Sequence, residues 1–435
     1  MLRPARRVLA SRHGVAADGV TGRRYYPSMV KFLHTADWQL GMTRHFLDGD
    51  AQARFSAARL DCITVIGRLA EAEDCDFVVV CGDVFESNHI ERQVLRRALD
   101  NMGAASGVGF YLLPGNHDPL DPASIYRSPT FTSHRPDNVA VLDSSAPVQA
   151  AAGVELIAAP WPNKHPLTDL VDDACADLER GDTARGNTDI ERGCTAHSGA
   201  AHSGTAVLGD AVRIVVGHGA LDCLSPDPSN PALVSLARLE DRINEGSIHY
   251  AALGDRHSTT DVGASGRVWY SGAPEPTDYT ESDPGNVLIV TLDDDGGCSV
   301  DKRRVGQWRF ERNERAVAAD ADIDAVEEWL TGLPDKSRTI VKLALVGQVS
   351  VAQQARLESL LADHEDLLAA LESWDRRSEL AVIPDDADLE HFGLSGFAAD
   401  AVSELGRTAE SENEQDAVTA RDALALLHRL AGATQ

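Results

Sequence analysis

The sequence predicts an α/β fold, and two observations carry that expectation. Five short apolar runs, each about four residues long, end at a glycine or another small residue followed at once by Asp, Asn or His. Between several of these runs lie stretches whose apolar residues recur at helical spacing, so that strand and helix alternate as in β-α-β units.

Taken in order, the first run is Lys31-Phe-Leu-His-Thr, which gives way to Ala36 and Asp37. Phe55, Cys62, Ile63, Ile66, Leu69 and Ala70 mark a helix over 51–70 that packs behind it. The strand 77–81 follows and runs into Gly82-Asp83. Ser87 or Asn88 is placed to cap a second helix with the stripe Ile90, Val94, Leu95, Ala98, Leu99 and Met102. The strand 109–113 delivers Gly115, Asn116, His117 and Asp118. Residues 119–138, rich in Pro, Ser, Thr and Asp, read as a loop over the site, and the runs 139–142 and 154–159 as strands of a second sheet. Residues 180–207 read as a flexible surface insertion. Its Cys194, His197 and His202 lack a fourth partner at zinc-binding spacing and are expected to be solvated. Ile214-Val-Val216 runs into Gly217-His218, and Tyr250-Ala-Ala-Leu253 into Gly254, Asp255, Arg256 and His257. Strands at 268–272 and 287–292 flank a Pro-rich turn.

A second module begins near 300–320. It holds a helix with Ile323, Val326, Trp329 and Leu330, a strand over 339–346, a long helix from Leu357 to Leu371, and a strand 380–383. The expected organisation is a catalytic domain over 29–300, an α/β domain over 301–390 and a helical segment over 391–435. Helices at about 395–406 and 416–432 in that last segment should dock on this chain or on a partner. Residues 1–28, with six arginines, one acid and no apolar periodicity, read as a disordered tail or a start placed upstream of the true one at Met29.

Charged residues at 25% and hydrophobic ones at 43% point to packed domains. No apolar run approaches a membrane span, so a soluble protein with no membrane contact is expected. The seven cysteines form no CxxC pair and are odd in number, which reads as reduced thiols in a cytoplasm. The net charge of −28, with 5 lysines among 40 basic residues, argues against nonspecific nucleic-acid binding by the chain alone. It leaves room for a nuclease whose metals and a few arginines meet the backbone.

Ligand-type residues at the carboxyl ends of strands, from five separated segments, are what a scaffold needs to converge side chains on one pocket. Asp, Asn and His suit Mn²⁺, Mg²⁺, Fe²⁺ or Zn²⁺, and the absence of thiolates from the set argues against structural zinc. A lone Gly-Asp or Gly-His carries no signal; five such strand ends in order do. With one carboxylate able to bridge, two ions could activate water and clamp a phosphoryl group. No G-x-S-x-G elbow, P-loop lysine motif or H-E-x-x-H is present.

The order Asp37, Gly82-Asp83, Gly115-Asn-His-Asp118, Gly217-His218 and Gly254-x-x-His257 resembles the calcineurin-like metallophosphoesterase superfamily. Within it, His34-Thr-Ala-Asp-Trp-Gln-Leu-Gly41, Gly82-Asp-Val-Phe-Glu86, Leu113-Pro-Gly-Asn-His-Asp118 and Ala252-Leu-Gly254 look like the SbcD-type DNA repair nuclease subunit. The resemblance implies a four-layer α-β-β-α sandwich of two mixed sheets, followed by a small α/β capping domain and C-terminal helices that hold an SbcC-type coiled-coil ATPase. It implies hydrolysis of phosphodiesters at DNA ends in double-strand break repair, with two divalent ions, Mn²⁺ first and Mg²⁺ as the alternative. The assembly implied is a homodimer within a heterotetramer. Asp37 and His257 would hold one ion and His218 with Asn116 the other, with Asp83 bridging. Gln39 and Asp255 would complete the set. His117 would contact the scissile phosphate or protonate the leaving oxygen, with Asp118 orienting it, and Arg256 would meet substrate.

Three positions depart from that pattern. Gln39 and Asp255 stand where histidines are usual, and Glu86 differs from the histidine some relatives carry. The first two changes move the set from nitrogen-rich toward oxygen-rich, which favours Mn²⁺ or Mg²⁺ over Zn²⁺. The alternatives are a phosphoesterase acting on a small nucleotide or phosphoprotein, and a non-catalytic DNA-end scaffold.

Overall fold

The computed structural model describes residues 29–192, 211–382 and 397–409, with scattered positions from 411 to 424. The expectations for 1–28, for Cys194, His197 and His202, and for most of 416–432 lie outside the described residues. Through β12 the elements run β1 (Met29–Thr35), α1 (Ala51–Ala72), β2 (Phe77–Val80), α2 (Arg92–Ala104), β3 (Gly109–Leu112), α3 (Pro129–His134), β4 (Val139–Val141), β5 (Val148–Ala151), β6 (Val154–Ala158), α4 (Leu170–Arg192), β7 (Val212–His218), α5 (Leu236–Glu245), β8 (Tyr250–Gly254), β9 (Thr260–Val262), β10 (Val268–Tyr270), β11 (Asn286–Asp293) and β12 (Cys298–Arg304). They build two six-stranded mixed sheets, β12-β11-β1-β2-β3-β4 and β5-β6-β7-β8-β10-β9. Strands β1 to β4 run parallel, as do β6, β7, β8 and β10, while β11 pairs antiparallel with β1 and β12 antiparallel with β11.

Side-chain alternation sorts the layers. Leu33, Val78, Val80 and Phe110 share one core with Ile63 and Ile66 of α1 and Leu95 and Leu99 of α2. Their strand neighbours Phe32, Phe77 and Val79 meet Leu156, Ile214, Val216 and Tyr250 of the other sheet. Phe32 stacks on Phe77 at 5.1 Å and meets Tyr250 edge-on at 5.5 Å, so aromatic rings join the sheets. Beyond the second sheet, Ile157, Val215 and Leu253 pack on Val171 and Leu178 of α4 and Leu239 of α5. The result is the expected four-layer α-β-β-α sandwich. Both faces of each central strand are buried, which is why β2 reads as unbroken Phe-Val-Val-Val.

Several local expectations are corrected. β4 pairs with β3 and so belongs to the first sheet, not the second. Residues 119–138 are not a plain loop: a 3₁₀ turn over Ile125–Arg127 and α3 bury Ile125, Tyr126 and Phe131 in the first core. Asn88 does not cap α2, which begins at Arg92 without a side-chain cap. Its amide instead donates to Pro119 O and Asp121 Oδ1 and accepts from the Ile125 N–H, tying down the segment after the Asn116-His117 turn. The insertion expected from 180 is helical as far as Arg192, because α4 continues from its anchored first turns, where Val171, Ala174, Cys175 and Leu178 are buried. Edge strands β5, β9 and β12 were missed because short or polar strands carry little apolar signal.

The chain divides into two compact units. The first holds the described residues up to Thr43 together with Ser56–Gln307; the second holds Arg44–Phe55 and the described residues from Trp308 on. The second unit contains β13 (Arg309–Val317), α6 (Asp320–Gly332), β14 (Thr339–Val349), α7 (Val351–Glu365), β15 (Ala370–Ser373), β16 (Glu379–Val382) and α8 (Phe397–Ala409). Its sheet is parallel, with β14 central. Leu371, expected in the long helix, lies in β15. Phe55 meets Trp308 edge-on at 5.0 Å, so the 44–55 segment is part of this unit's packing. Val402 and Ala409 of α8, with Ala420 and Leu424, join the same core as Val341 and Leu343. The tail therefore packs on its own unit.

Candidate metal centre

Every predicted site residue follows the carboxyl end of a parallel strand, or ends one: β1 for Asp37 and Gln39, β2 for Asp83, β3 for Asn116 and His117, β7 for His218, and β8 for Asp255 and His257. Parallel strands put all these ends on one edge of each sheet, and the facing sheets bring the two edges together. The Asp255 N–H points at both carboxylate oxygens of Asp37, at 3.1 and 3.2 Å. Asp37, Asp83 and His218 place ligand atoms all within 4.8 Å of one another. His218 Nδ1 donates to Cys81 O at 2.8 Å, which aims Nε2 at Asn116 Oδ1 (2.7 Å) and Asp83 Oδ1 (3.4 Å). Gln39 lies beside His257, amide nitrogen to Nε2, at 3.3 Å.

The backbone is left-handed at these positions. Asp37, Gln39, Asp83 and Asp255 have φ of 54, 43, 50 and 98°, four of the six positive-φ non-glycine residues among those described. Such conformations cost about 1–3 kcal/mol each and concentrate at sites where the surroundings over-determine them. Here they turn three carboxylates and an amide inward at the strand ends.

The electrostatics ask for a cation. Burial pushes the Asp37 carboxyl up to about 7, with Asp83 and Asp255 adding to the rise against His257 and His218. Burial raises Asp255 as well. Burial works to keep His218 neutral, yet the carboxylates of Asp83, Asp37 and Asp255 outweigh it and raise its pKa well above the ordinary value. Among the described residues the ion pairs of these carboxylates are all to histidines. The buried Gln39 Oε1 has no hydrogen-bond partner. Three carboxylates, two side-chain amide oxygens and two imidazoles with no thiolate fit hard or borderline divalent ions.

Other expected residues are placed differently. Asp118 is fully buried and does not orient His117. Its carboxylate accepts from Gly115 N–H (2.8 Å), Phe85 N–H (3.0 Å) and the Tyr126 hydroxyl (2.6 Å), bracing the turn that carries Asn116 and His117. Burial and nearby Asp83 push it up to about 6. Glu86 takes the orienting part instead: its carbonyl accepts from His117 Nδ1 at 2.9 Å. The His117 N–H donates to Asp83 Oδ1 at 2.9 Å. Arg256 is exposed, its Nε donating to Thr260 Oγ1. Residues missed by sequence reasoning include Trp161, whose indole N–H donates to His218 O at 2.7 Å and whose backbone bonds Pro114 and Leu120. An aromatic three residues past the end of β6 was its only signal.

His34, in the same motif as Asp37, is structural. It is held between the Tyr250 hydroxyl (3.2 Å) and Leu253 O (3.1 Å), and burial lowers its pKa from 6.5 to about 3. A folded pKa below the unfolded one means the unfolded chain takes the proton first, so stability falls as pH drops from 6.5 toward 3. Between pH 6.5 and 5 this contribution amounts to about 2 kcal/mol. His34→Gln should flatten the fall in urea midpoint over that window; an unchanged slope would locate the acid sensitivity elsewhere.

Residues 30–154 match the family model for calcineurin-like phosphoesterases. A 94-residue stretch is 32% identical to the SbcD subunit of nuclease SbcCD from Rhodobacter capsulatus, covering 21% of this chain and 22% of that protein, so about a fifth of the relative's length is matched. Among solved structures, TT1561 of Thermus thermophilus aligns at 9% identity and a TM-score of 0.37, covering 64% of this chain and 99% of that one. A dimetal phosphatase from Danio rerio aligns at 15% identity and a TM-score of 0.37, covering 63% and 96%. No helix among the described residues is long and apolar enough to cross a membrane. The motif order, the sandwich and the matched residues agree: this chain carries a calcineurin-like metallophosphoesterase domain.

Proposed function

We propose that this chain is a metal-dependent DNA nuclease of the SbcD type, hydrolysing phosphodiesters at DNA ends in the cytoplasm together with an SbcC-type ATPase. The observation that carries the hydrolase part is the convergence of Asp37, Asp83 and His218 within 4.8 Å, from three strand ends in two sheets. The DNA part is supported by the partial likeness to the SbcCD nuclease and by the presence of a second α/β unit in the same chain.

Contacts suggest how the ligands divide. Gln39 lies on His257, and Asn116 lies on His218. On this reading Asp37, Gln39 and His257 would hold one ion and Asn116, His218 and Asp255 the other, with Asp83 bridging. Two Mn²⁺ or Mg²⁺ ions bound there would supply an activated water and charge neutralisation of the phosphoryl group. His117, with Nδ1 spent on Glu86 O, keeps Nε2 for a proton passed to the leaving oxygen.

Purified chain should degrade linear duplex DNA with Mn²⁺ and hardly at all with Zn²⁺, and the co-purified ATPase should raise the rate, because a chain of net charge −28 holds DNA poorly unaided. Hydrolysis of small phosphodiesters with no DNA cleavage, even with the ATPase present, would instead favour a nucleotide or phosphoprotein substrate. Deleting 391–435 is a poor test of the partner, since Val402 and Ala409 belong to the second unit's core. Substitutions at exposed positions of α8 avoid that.

A further inference from the structure

His257 is gripped from behind. Its Nδ1 lies 2.7 Å from Thr277 Oγ1 and 2.9 Å from Glu281 Oε1, with the Glu281 side chain 5% exposed. The Thr277 hydroxyl itself hydrogen-bonds Glu281 Oε1, and the Thr277 N–H donates to both carboxylate oxygens, at 3.2 and 3.0 Å. The protons can be counted. A carboxylate accepts only, and the one hydroxyl proton of Thr277 goes to it, so the Thr277 oxygen and Glu281 Oε1 both face Nδ1 as acceptors. If Nδ1 carried a lone pair, it would face a buried carboxylate oxygen with nothing between them. A proton on Nδ1 satisfies all three atoms. On the opposite side of the ring, Nε2 lies 3.3 Å from the Gln39 amide nitrogen, a donor that a lone pair on Nε2 would accept.

The segment that supplies the grip is itself anchored. Arg59 of α1, buried, donates to Trp38 O (3.0 Å) and Pro276 O (2.8 Å), joining the Asp37–Gln39 turn to the residue before Thr277. On the far side the Ser282 N–H donates to Ser258 Oγ at 2.9 Å, next to His257. The Pro-rich turn after β10 is thus a strap fixed at both ends.

The geometry points to Glu281, with Thr277, as a positioning pair that locks His257 in its Nδ1–H tautomer and so presents a bare Nε2 toward Asp37 and Gln39. That Nε2 meets a divalent ion rests on the function proposed above; the tautomer does not. A carboxylate behind a ligating imidazole fixes ring orientation and raises ligand basicity, and losing it costs about 10–100-fold in metal affinity.

The test uses full-length chain labelled with ¹⁵N-histidine, with His257 assigned through His257→Gln, stripped of metal at mildly alkaline pH. The wild type should show a protonated Nδ1 and an unprotonated Nε2. Glu281→Ala should lose that preference and bind one of two Mn²⁺ ions about 10–100-fold more weakly. Glu281→Gln, whose amide oxygen can still accept from Nδ1–H, should restore the tautomer and much of the affinity; it also serves if the alanine variant does not fold. A wild-type His257 protonated at Nε2, or at both nitrogens, overturns the lock and leaves the metal reading standing. So does a Glu281→Ala chain with unchanged spectrum and affinity. The expected tautomer in a wild type that binds no Mn²⁺ supports the lock and overturns the metal reading.

Discussion

Asp83→Ala is expected to bind no Mn²⁺ at either half of the site and to lose phosphodiesterase activity by about 10³-fold or more. Asp83 is 2% exposed, with Oδ1 at 3.4 Å from His218 Nε2 and Oδ2 at 3.9 Å from His117 Nε2, and it shares a cluster of ligand atoms within 4.8 Å of one another with Asp37 and His218. A carboxylate there is the group able to serve two ions at once. Its removal also frees the His117 N–H that Oδ1 holds at 2.9 Å, so the Asn116-His117 turn loosens together with the ligand. Alanine at φ 50° adds backbone strain, which asparagine tolerates better. Asp83→Asn is therefore the cleaner variant: it keeps the oxygen for the His117 N–H but not the charge. Wild type should gain thermal stability with saturating Mn²⁺, about 2.7 kcal/mol per bound ion at a hundred times its dissociation constant, and both variants should show almost none. Two ions bound by Asp83→Asn at wild-type affinity would remove Asp83 from the bridging position.

Much of the site could be read along the chain because each strand end writes its own short sentence. The glycines in those sentences are forced by packing. A Cβ on Gly254 would lie 1.9 Å from Cys81 O, and one on Gly115 would lie 2.2 Å from Asp83 Oδ1. Close approach between strand ends thus leaves a local mark, strand-glycine-ligand, that needs no knowledge of the partner. Contacts without such a mark stayed hidden. Thr277 and Glu281 sit in an irregular turn with no periodicity, and their bond to His257 exists only after the chain has gone round β9 and β10. The family resemblance casts Asp118 as an orienting carboxylate. Its real partners, the Phe85 N–H and the Tyr126 hydroxyl, are brought by β2 and by the 3₁₀ turn. Sheet membership was illegible for the same reason: β4 is Val-Ala-Val whichever sheet it joins, and only its pairing with β3 decides. The acidic composition, with its implication for DNA, is a property of the whole surface and names no residue.

His117→Ala is expected to keep both Mn²⁺ sites and lose catalysis, by about 10²–10⁴-fold on DNA. The side chain is 36% exposed, in contrast to the buried Asp37, Asp83 and His218. Glu86 O holds its Nδ1 at 2.9 Å, which leaves Nε2 at the open side of the cluster, where a leaving oxygen would depart. The backbone N–H that ties this residue to Asp83 survives the substitution, so the ligand geometry should survive too. Calorimetric titration with Mn²⁺ should then give the wild-type stoichiometry, with affinity within about threefold. The decisive comparison is between substrates. A nitrophenyl phosphodiester leaves as a stabilised anion and needs no proton, whereas a deoxyribose alkoxide does, so the variant should lose far more rate on DNA than on the nitrophenyl ester. Equal losses on both substrates would mean that His117 holds the phosphate rather than supplying a proton.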